Sequence, residues 1–379
     1  MTDDRRERAT TLLRETRSDP DPADASEFDT MLGADDPTLR RYGLDGLKIL
    51  ARRDPSVLTA RVDRIAALLE DPDREVRAGA SAIYAESLSG DPVLAAADVL
   101  VDLLSDSYPI VRWNALEALV EAARTDPAAC EAYVEDVMAF LDADTDHVRA
   151  HAVRFLAVVS MERPEAVVPA ADRLVEILLS AGDVDVGIDA TVRRQAPDRG
   201  SRVDDMAERA RERQRSERQA AGHAVFGIAT VDPDVVRPAV DDLLALLADP
   251  DPQVRQVALD VLVPLAEDDP GAVDAHVEAI ADCLDDVPMV RASASQALTA
   301  ISPVASDSVA SAALDHVEAI ADLLDHDSPP VRASAASLLA LAADRDPDAI
   351  ADVRAELEAL SEDDVSFVRE AAADALADR

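Results

Sequence analysis

A Val-Arg dipeptide returns along this chain at a nearly constant interval, and that interval decides what the chain can fold into. It stands at Val76-Arg77, Val111-Arg112, Val148-Arg149, Val254-Arg255, Val290-Arg291, Val331-Arg332 and Val368-Arg369, and Leu39-Arg40 fills the same slot. From Arg40 onward the arginines are 37, 35, 37, 106, 36, 41 and 37 residues apart. The long gap hides one more repeat, because Glu217-Arg218 lies 37 residues before Val254-Arg255. A period of this length marks stacked supersecondary units.

Two further slots keep the same phase. Four residues after the Val slot the residue is small: Gly43, Ala80, Ala115, Ala152, Ala221, Ala258, Ala294, Ala335 and Ala372. Eight residues after it stands an apolar residue or Tyr: Leu47, Tyr84, Leu119, Leu156, Val225, Leu262, Leu298, Leu339 and Leu376. The three slots share one helical face, and the small one lets a neighbouring helix approach closely. Sixteen residues after the Val slot comes a proline, at Pro55, Pro92, Pro127, Pro164, Pro233, Pro270 and Pro347, usually behind Asp. A second proline precedes the slot by two, at Pro37, Pro109, Pro252, Pro288 and Pro329. Asp caps free N–H groups and Pro at the first helical position loses no hydrogen bond, so both helices of each repeat have marked starts. The reading is an all-α chain of about nine helical pairs stacked as an α-solenoid, each pair stabilised by its neighbours. With aromatics at only 3% of the chain, a core of Ala, Val and Leu suits such close-packed helices.

The Val-Arg start of a second helix, with Asp shortly before it, resembles the HEAT repeats, including their short bacterial and archaeal (PBS-lyase-type) forms. The resemblance covers residues 27–379 outside one insertion and implies a right-handed superhelix. It also implies an Asp–Arg ladder of charge-assisted hydrogen bonds between successive repeats. An Asp lies six residues before the Arg at Asp71 and Arg77, Asp106 and Arg112, Asp249 and Arg255, Asp285 and Arg291, and Asp363 and Arg369. It lies within one residue of that place at Asp35, at Asp142 or Asp144, and at Asp325 or Asp327, and the Arg218 repeat lacks it. A proline inside the first helix, frequent in the family, is matched by Pro169 and Pro238.

The divisions read from the chain are a polar N-terminal helix and linker (1–26), N-terminal repeats (27–181), an insertion (182–216) and C-terminal repeats (217–379). The insertion opens as a Gly- and Pro-punctuated loop and continues as one long polar helix. Between Thr191 and Arg218 it carries nine arginines and six acids. One reading is a solvated helix with Glu–Arg pairs at i,i+4 spacing. The others are a docking segment or, with the acidic body opposing it, a phosphate contact by Arg193, Arg194, Arg199 and Arg202.

The chain holds 78 acidic and 37 basic residues, a net charge of −41, and its one lysine is Lys48. Such a charge repels itself at low salt and is screened at molar salt, where the Debye length is about 3 Å. The even spread of acids points to a high-salt cytoplasm, as in halophilic archaea; an acidic partner-mimicking surface is the rival reading. Cys130 and Cys283 form no CxxC pair and read as small buried residues. The charged N-terminus has no apolar signal region and no run approaches a membrane span of about 20 residues. A cytoplasmic protein with no membrane contact is expected.

No phosphate-binding glycine loop, nucleophile elbow or zinc-protease motif is present. His147 and His151 have metal-compatible spacing but read as two surface histidines; no metal or cofactor is expected. In HEAT arrays the second helices line the concave surface, which places Trp113, two residues after Val111, either in that groove or against a neighbouring repeat. Arg154 and His223, six residues after their Val slots, share that face. The functional expectation is a non-catalytic scaffold holding a protein partner there, with nucleic acid disfavoured. The family also holds lyase-type enzymes and signalling or motility adaptors, and these stand as alternatives.

Overall fold

The computed structural model describes residues 2–143, 146–180 and 197–377, and among them every regular element is helical. The chain forms two compact units, Met1–Val167 and Val168–Arg379. In the first unit the long helices are α1 (Thr2–Ser18), α2 (Pro37–Ala51), α3 (Arg74–Glu86), α4 (Pro109–Thr125) and α5 (Asp146–Ser160). In the second they are α6 (Pro197–Ala229), α7 (Pro252–Asp268), α8 (Pro288–Asp315), α9 (Pro329–Arg345) and α10 (Ser366–Leu376). Helices α2 to α10 are the nine second helices of the repeats, and within each unit they stack side by side. This is the α-solenoid architecture.

The proline signals act as their chemistry requires. Pro37, Pro109, Pro252, Pro288 and Pro329 all sit at helix starts. The Asp36 and Asp251 carboxylates cap their helices by accepting from Thr38 N–H and Gln253 N–H. From the second repeat onward the first helices are broken into short pieces. The breaks recur in one register, at Arg61, Tyr133, Ala170, Ala239, His276 and Val353, where φ lies between −90° and −127° and ψ near zero. A residue in this bridge region ends one helical turn and redirects the next.

The 0, 4, 8 face is the core. Val76, Ala80 and Tyr84, then Val111, Ala115 and Leu119, are all but inaccessible, as are Val290, Ala294 and Leu298 in the second unit. Glu217 fills a Val slot with a buried polar side chain. Gly222 shows how closely the helices meet: a Cβ there would lie 1.8 Å from Val257 Cγ1, so α6 can approach α7 only with glycine. Helix α8 is long and apolar enough to cross a membrane by composition alone. It breaks at Ala305, past Pro303, and its Val290, Ala294 and Leu298 are packed in the core.

The Asp–Arg ladder runs across repeats. In Arg40, Arg77, Arg218, Arg255, Arg291 and Arg332 the guanidinium reaches back to a carbonyl at or just after the end of its own first helix and forward to an aspartate of the next repeat. Arg77 donates to Asp71 O at 2.8 Å and grips Asp106 through Nε at 2.6 Å and Nη2 at 3.1 Å. Asp71 itself is held by Arg40 at 2.8 Å. In the second unit Arg218 meets Asp249 at 2.9 Å, Arg332 meets Asp363 at 2.9 Å, and Arg369 donates to Asp363 O. Arg112 donates to Asp106 O at 2.7 Å. Two positions correct the sequence reading. Arg255 pairs with Asp286 at 2.6 Å, leaving Asp285 exposed, and Arg291 pairs with Asp322 rather than Asp325 or Asp327. The cause is a connection one residue shorter before Arg291: Asp286 occupies the place after the 3-10 turn that Asp106 and Asp249 hold in theirs. Helix α1 joins the same scheme, with Arg6 Nε and Nη2 on the Asp36 carboxylate at 2.6 and 3.0 Å.

Breaking a part-buried pair strands the remaining charge. Asp286→Asn should therefore lower stability in urea unfolding by about 3 kcal/mol. Asp285→Asn should stay within about 0.5 kcal/mol of the parent, as an ordinary surface change does. Equal losses for the two would contradict this rung.

Candidate protein-interaction face

The ladder consumes the residue after each Val slot. A different stripe of each second helix lies away from the 0, 4, 8 face and is open to solvent in part: among the described residues those one before the slot and six after it are exposed or half-buried, and those two or three after it range from exposed to buried. Helical geometry puts these on one face, roughly opposite the core. On α4 the stripe is Ile110, Trp113 and Glu117, with Ile110 44% and Trp113 39% exposed. On α3 beside it the stripe is Ala78, Gly79 and Ala82, all half-buried and small. On α2 it is Arg41, Asp45 and Lys48, and on α5 it includes His151 and Arg154.

Trp113 contacts the neighbouring repeat, one of the two arrangements weighed for it. Its ring stays partly exposed, while its Nε1–H donates to Nε2 of His151 on α5 at 2.9 Å. The rings lie 6.4 Å apart and tilted. His151 is therefore buried, at 6% exposure, and not the surface residue expected from sequence. Its burial follows from the cross-repeat bond, which no spacing within α5 reveals. The side chain of His147 lies outside the described residues, as do Arg193 and Arg194 and the side chains of Arg199 and Arg202.

The bond from Trp113 requires Nε2 of His151 to be an acceptor, so the neutral ring carries its proton on Nδ1. Arg154 Nη2 stands 3.0 Å from that Nδ1. A guanidinium only donates, so this contact gives Arg154 no true acceptor. Arg154 forms no ion pair among the described residues. Burial pushes its guanidinium pKa down, Arg124 adds to the shift, and Glu117 opposes it.

Glu117 and Asp45 complete the pattern and were missed from the sequence; both stand six residues after the Val slot, the register that singled out Arg154 and His223. Each is half-buried without a hydrogen bond or ion pair among the described residues. Burial raises the Glu117 carboxyl above its usual range, helped by Glu86, while Arg154 and Lys48 pull the other way. Burial likewise raises Asp45 against the pull of Arg41, Arg17 and Lys48. Lys48 spends its charge on Glu86 at 2.6 Å.

The second unit repeats the register with different chemistry. His223 on α6 and Asp260 on α7 fill it, next to an exposed Phe226. Burial raises Asp260, against a 2.5 Å hydrogen bond from Ser293 Oγ and the nearby His223. Crowding by protein atoms lowers His223, whose ring nonetheless reaches solvent, and Asp260 opposes that shift. Cys130 and Cys283 are buried, and burial pushes both thiols up to about 11, which keeps them protonated. Among the described residues no group of three metal-ligating side chains forms.

The two kinds of acid titrate with opposite consequences. Asp106, held low first by its bond from Arg77, contributes stability above its unfolded pKa and loses it as pH falls through the folded value. Glu117, raised by burial, costs stability once ionised, so its favourable contribution is present at low pH and lost as pH rises through the folded value. Glu117→Gln should therefore raise the melting temperature at pH 7 and lose that advantage near pH 4, where carboxylates protonate. Asp106→Asn should lower the melting temperature at pH 7, by an amount that shrinks below about pH 4. Melting curves across that range decide both signs.

Comparison with known proteins agrees with the repeat geometry. Residues 62–157 match the family model for HEAT repeats, and residues 224–321 match the model for the non-SMC mitotic condensation complex subunit 1. No curated protein matches the chain. An engineered protein of known crystal structure shares the fold over 99% of this chain and 95% of its own, with a TM-score of 0.71 and 22% identity. A chain in the structure of Kap95p with RanGDP aligns over 93% of this chain and 45% of its own, with a TM-score of 0.56 and 13% identity. This protein thus spans about half the length of that chain. The chain is an all-α helical-repeat protein similar to HEAT-repeat proteins, with its most exposed aromatic side chains on the second helices.

Proposed function

We propose that this protein is a non-catalytic scaffold that holds a protein partner against the exposed face of its second helices. One observation carries the reading: Trp113, the single tryptophan, is fixed by His151 yet leaves much of its ring in solvent beside Ile110. A rigid, half-exposed Trp is the usual anchor of a protein interface, because it adds large contact area at little entropic cost. The family matches support the same class, since one is to HEAT repeats and one to a condensation-complex subunit. The structural likeness to a chain in the Kap95p–RanGDP structure points the same way. Purification of the tagged protein from a lysate held at molar salt should yield a stoichiometric protein partner. Trp113→Ala should weaken that partner roughly thirtyfold, the effect of losing about 2 kcal/mol at a hot spot. Unchanged affinity would remove the anchor from this reading.

The same proposal includes a cytoplasm of high salt. The net charge of −41 supports it, because self-repulsion of that size is compatible with a compact chain only under strong screening. Dialysis from molar to millimolar salt should cost most of the far-ultraviolet helical signal, and return to molar salt should restore it. A full helical spectrum at low salt would rule the adaptation out.

A further inference from the structure

We propose that the face of α3, α4 and α5 takes an extended segment of a protein partner, one that lays an arginine or lysine on Trp113 against Glu117 and a carboxylate against Arg154. The proposal rests on the scaffold reading and adds the chemistry of the partner.

Charge complementarity is the ground for this occupant. Taking an ionisable group partly out of water costs free energy unless a partner compensates it. Part-buried ladder charges are compensated: Arg40, Arg77, Arg218, Arg255 and Arg332 each grip an aspartate. Glu117 and Arg154 are exceptions, half-buried and without an ion pair in a chain with 78 acids available. They lie on neighbouring helices and on one face, with opposite sign. Trp113 is four residues before Glu117 on that face, so a cation placed over the indole also reaches the carboxylate. Cation–π attraction and the ion pair then act on the same group. Beside Trp113, the small stripe of α3 leaves room for main chain.

The spacing of the helices sets the spacing of the partner's charges. Packed helices lie about 10 Å apart and an extended chain advances about 3.3 Å per residue. A cation at Glu117 and an anion at Arg154 are therefore about three residues apart in the partner. Asp45, two helices away in the other direction, would take a second cation about six residues from the first.

The test uses two kinds of synthetic peptide of identical composition. One carries an arginine and an aspartate about three residues apart, made in both chain orders, and the other carries the same residues scrambled. Both are titrated at molar salt, so that the overall negative charge does not decide the result, and binding is read from Trp113 fluorescence. The ordered peptide should bind at least roughly tenfold more tightly, since like-charge contacts penalise the scramble. Glu117→Gln and Arg154→Gln should each erase that preference, and the double exchange Glu117→Arg with Arg154→Glu should favour the peptide of opposite polarity. Circular dichroism of each variant confirms that its helices remain. Equal binding of the two peptides overturns the proposal. So does a captured partner that Trp113→Ala releases but Glu117→Gln and Arg154→Gln leave bound, a result that would keep the scaffold reading intact. A partner indifferent to Trp113→Ala would instead count against the scaffold reading itself.

Discussion

The arginine that follows each Val slot is the interaction on which the stacking depends. A guanidinium offers five donors in a rigid planar fork. Here one arm holds the carbonyl that ends its own first helix, and the other side holds a carboxylate of the next repeat. That carboxylate also accepts from a backbone N–H two residues on, as Asp106 does from Tyr108 and Asp71 from Asp73. One rung therefore fixes the end of a first helix, the turn and the neighbouring repeat together. A lysine, with a single point charge on a flexible stem, could not hold all three. This gives a physical reason for arginine at the slot while the one lysine, Lys48, serves a surface pair. The apolar face alone would not set the register so tightly, because its small residues permit close approach without dictating one.

Much of this was legible in the sequence because it is periodic. The 0, 4, 8 pattern names the core side chains directly, and the prolines name the helix starts. The ladder was legible in its residue types but not in its pairing. A separation of six between Asp71 and Arg77 does not say which aspartate of a neighbouring repeat each arginine meets; the structure joins Arg77 to the carbonyl of Asp71 and to the carboxylate of Asp106. At Asp285 the spacing misled outright, since a connection one residue shorter moves Asp286 into the bonding position. The breaks in the first helices had no signal beyond Pro169 and Pro238. They fall on Arg, Tyr, His, Val and Ala alike, so packing over the second helices and not residue type sets them. His151 was misjudged for a related reason: its partner lies 38 residues away on another helix.

The exposed face of the second helices was only partly legible. Helical phase placed Trp113, Arg154 and His223 on it, but Asp45, Glu117 and Asp260 passed unnoticed among 78 acids. Their distinction is environmental. A carboxylate in the ladder is held low, by a guanidinium bond first at Asp106 and Asp286 and by the Val365 N–H ahead of Arg332 at Asp363, whereas these three are raised by burial. Composition cannot separate the two kinds, and register can do so only once the repeat is aligned.

That separation argues for what the face is for. A stack of helical pairs gains little from half-burying an acid and a base without joining them, since the desolvation cost is incurred and only part of the Coulombic return is gained. Had Glu117 and Arg154 served stability alone, one of the chain's 78 acids could have supplied Arg154 with a partner. They stand open beside an aromatic ring that is itself pinned in place by a hydrogen bond. Rigid apolar surface flanked by charges of both signs, already partly stripped of water, lowers the cost of docking a complementary segment. The same charges set limits on the partner, because a segment of the wrong polarity would place like charges together where solvent screens them least.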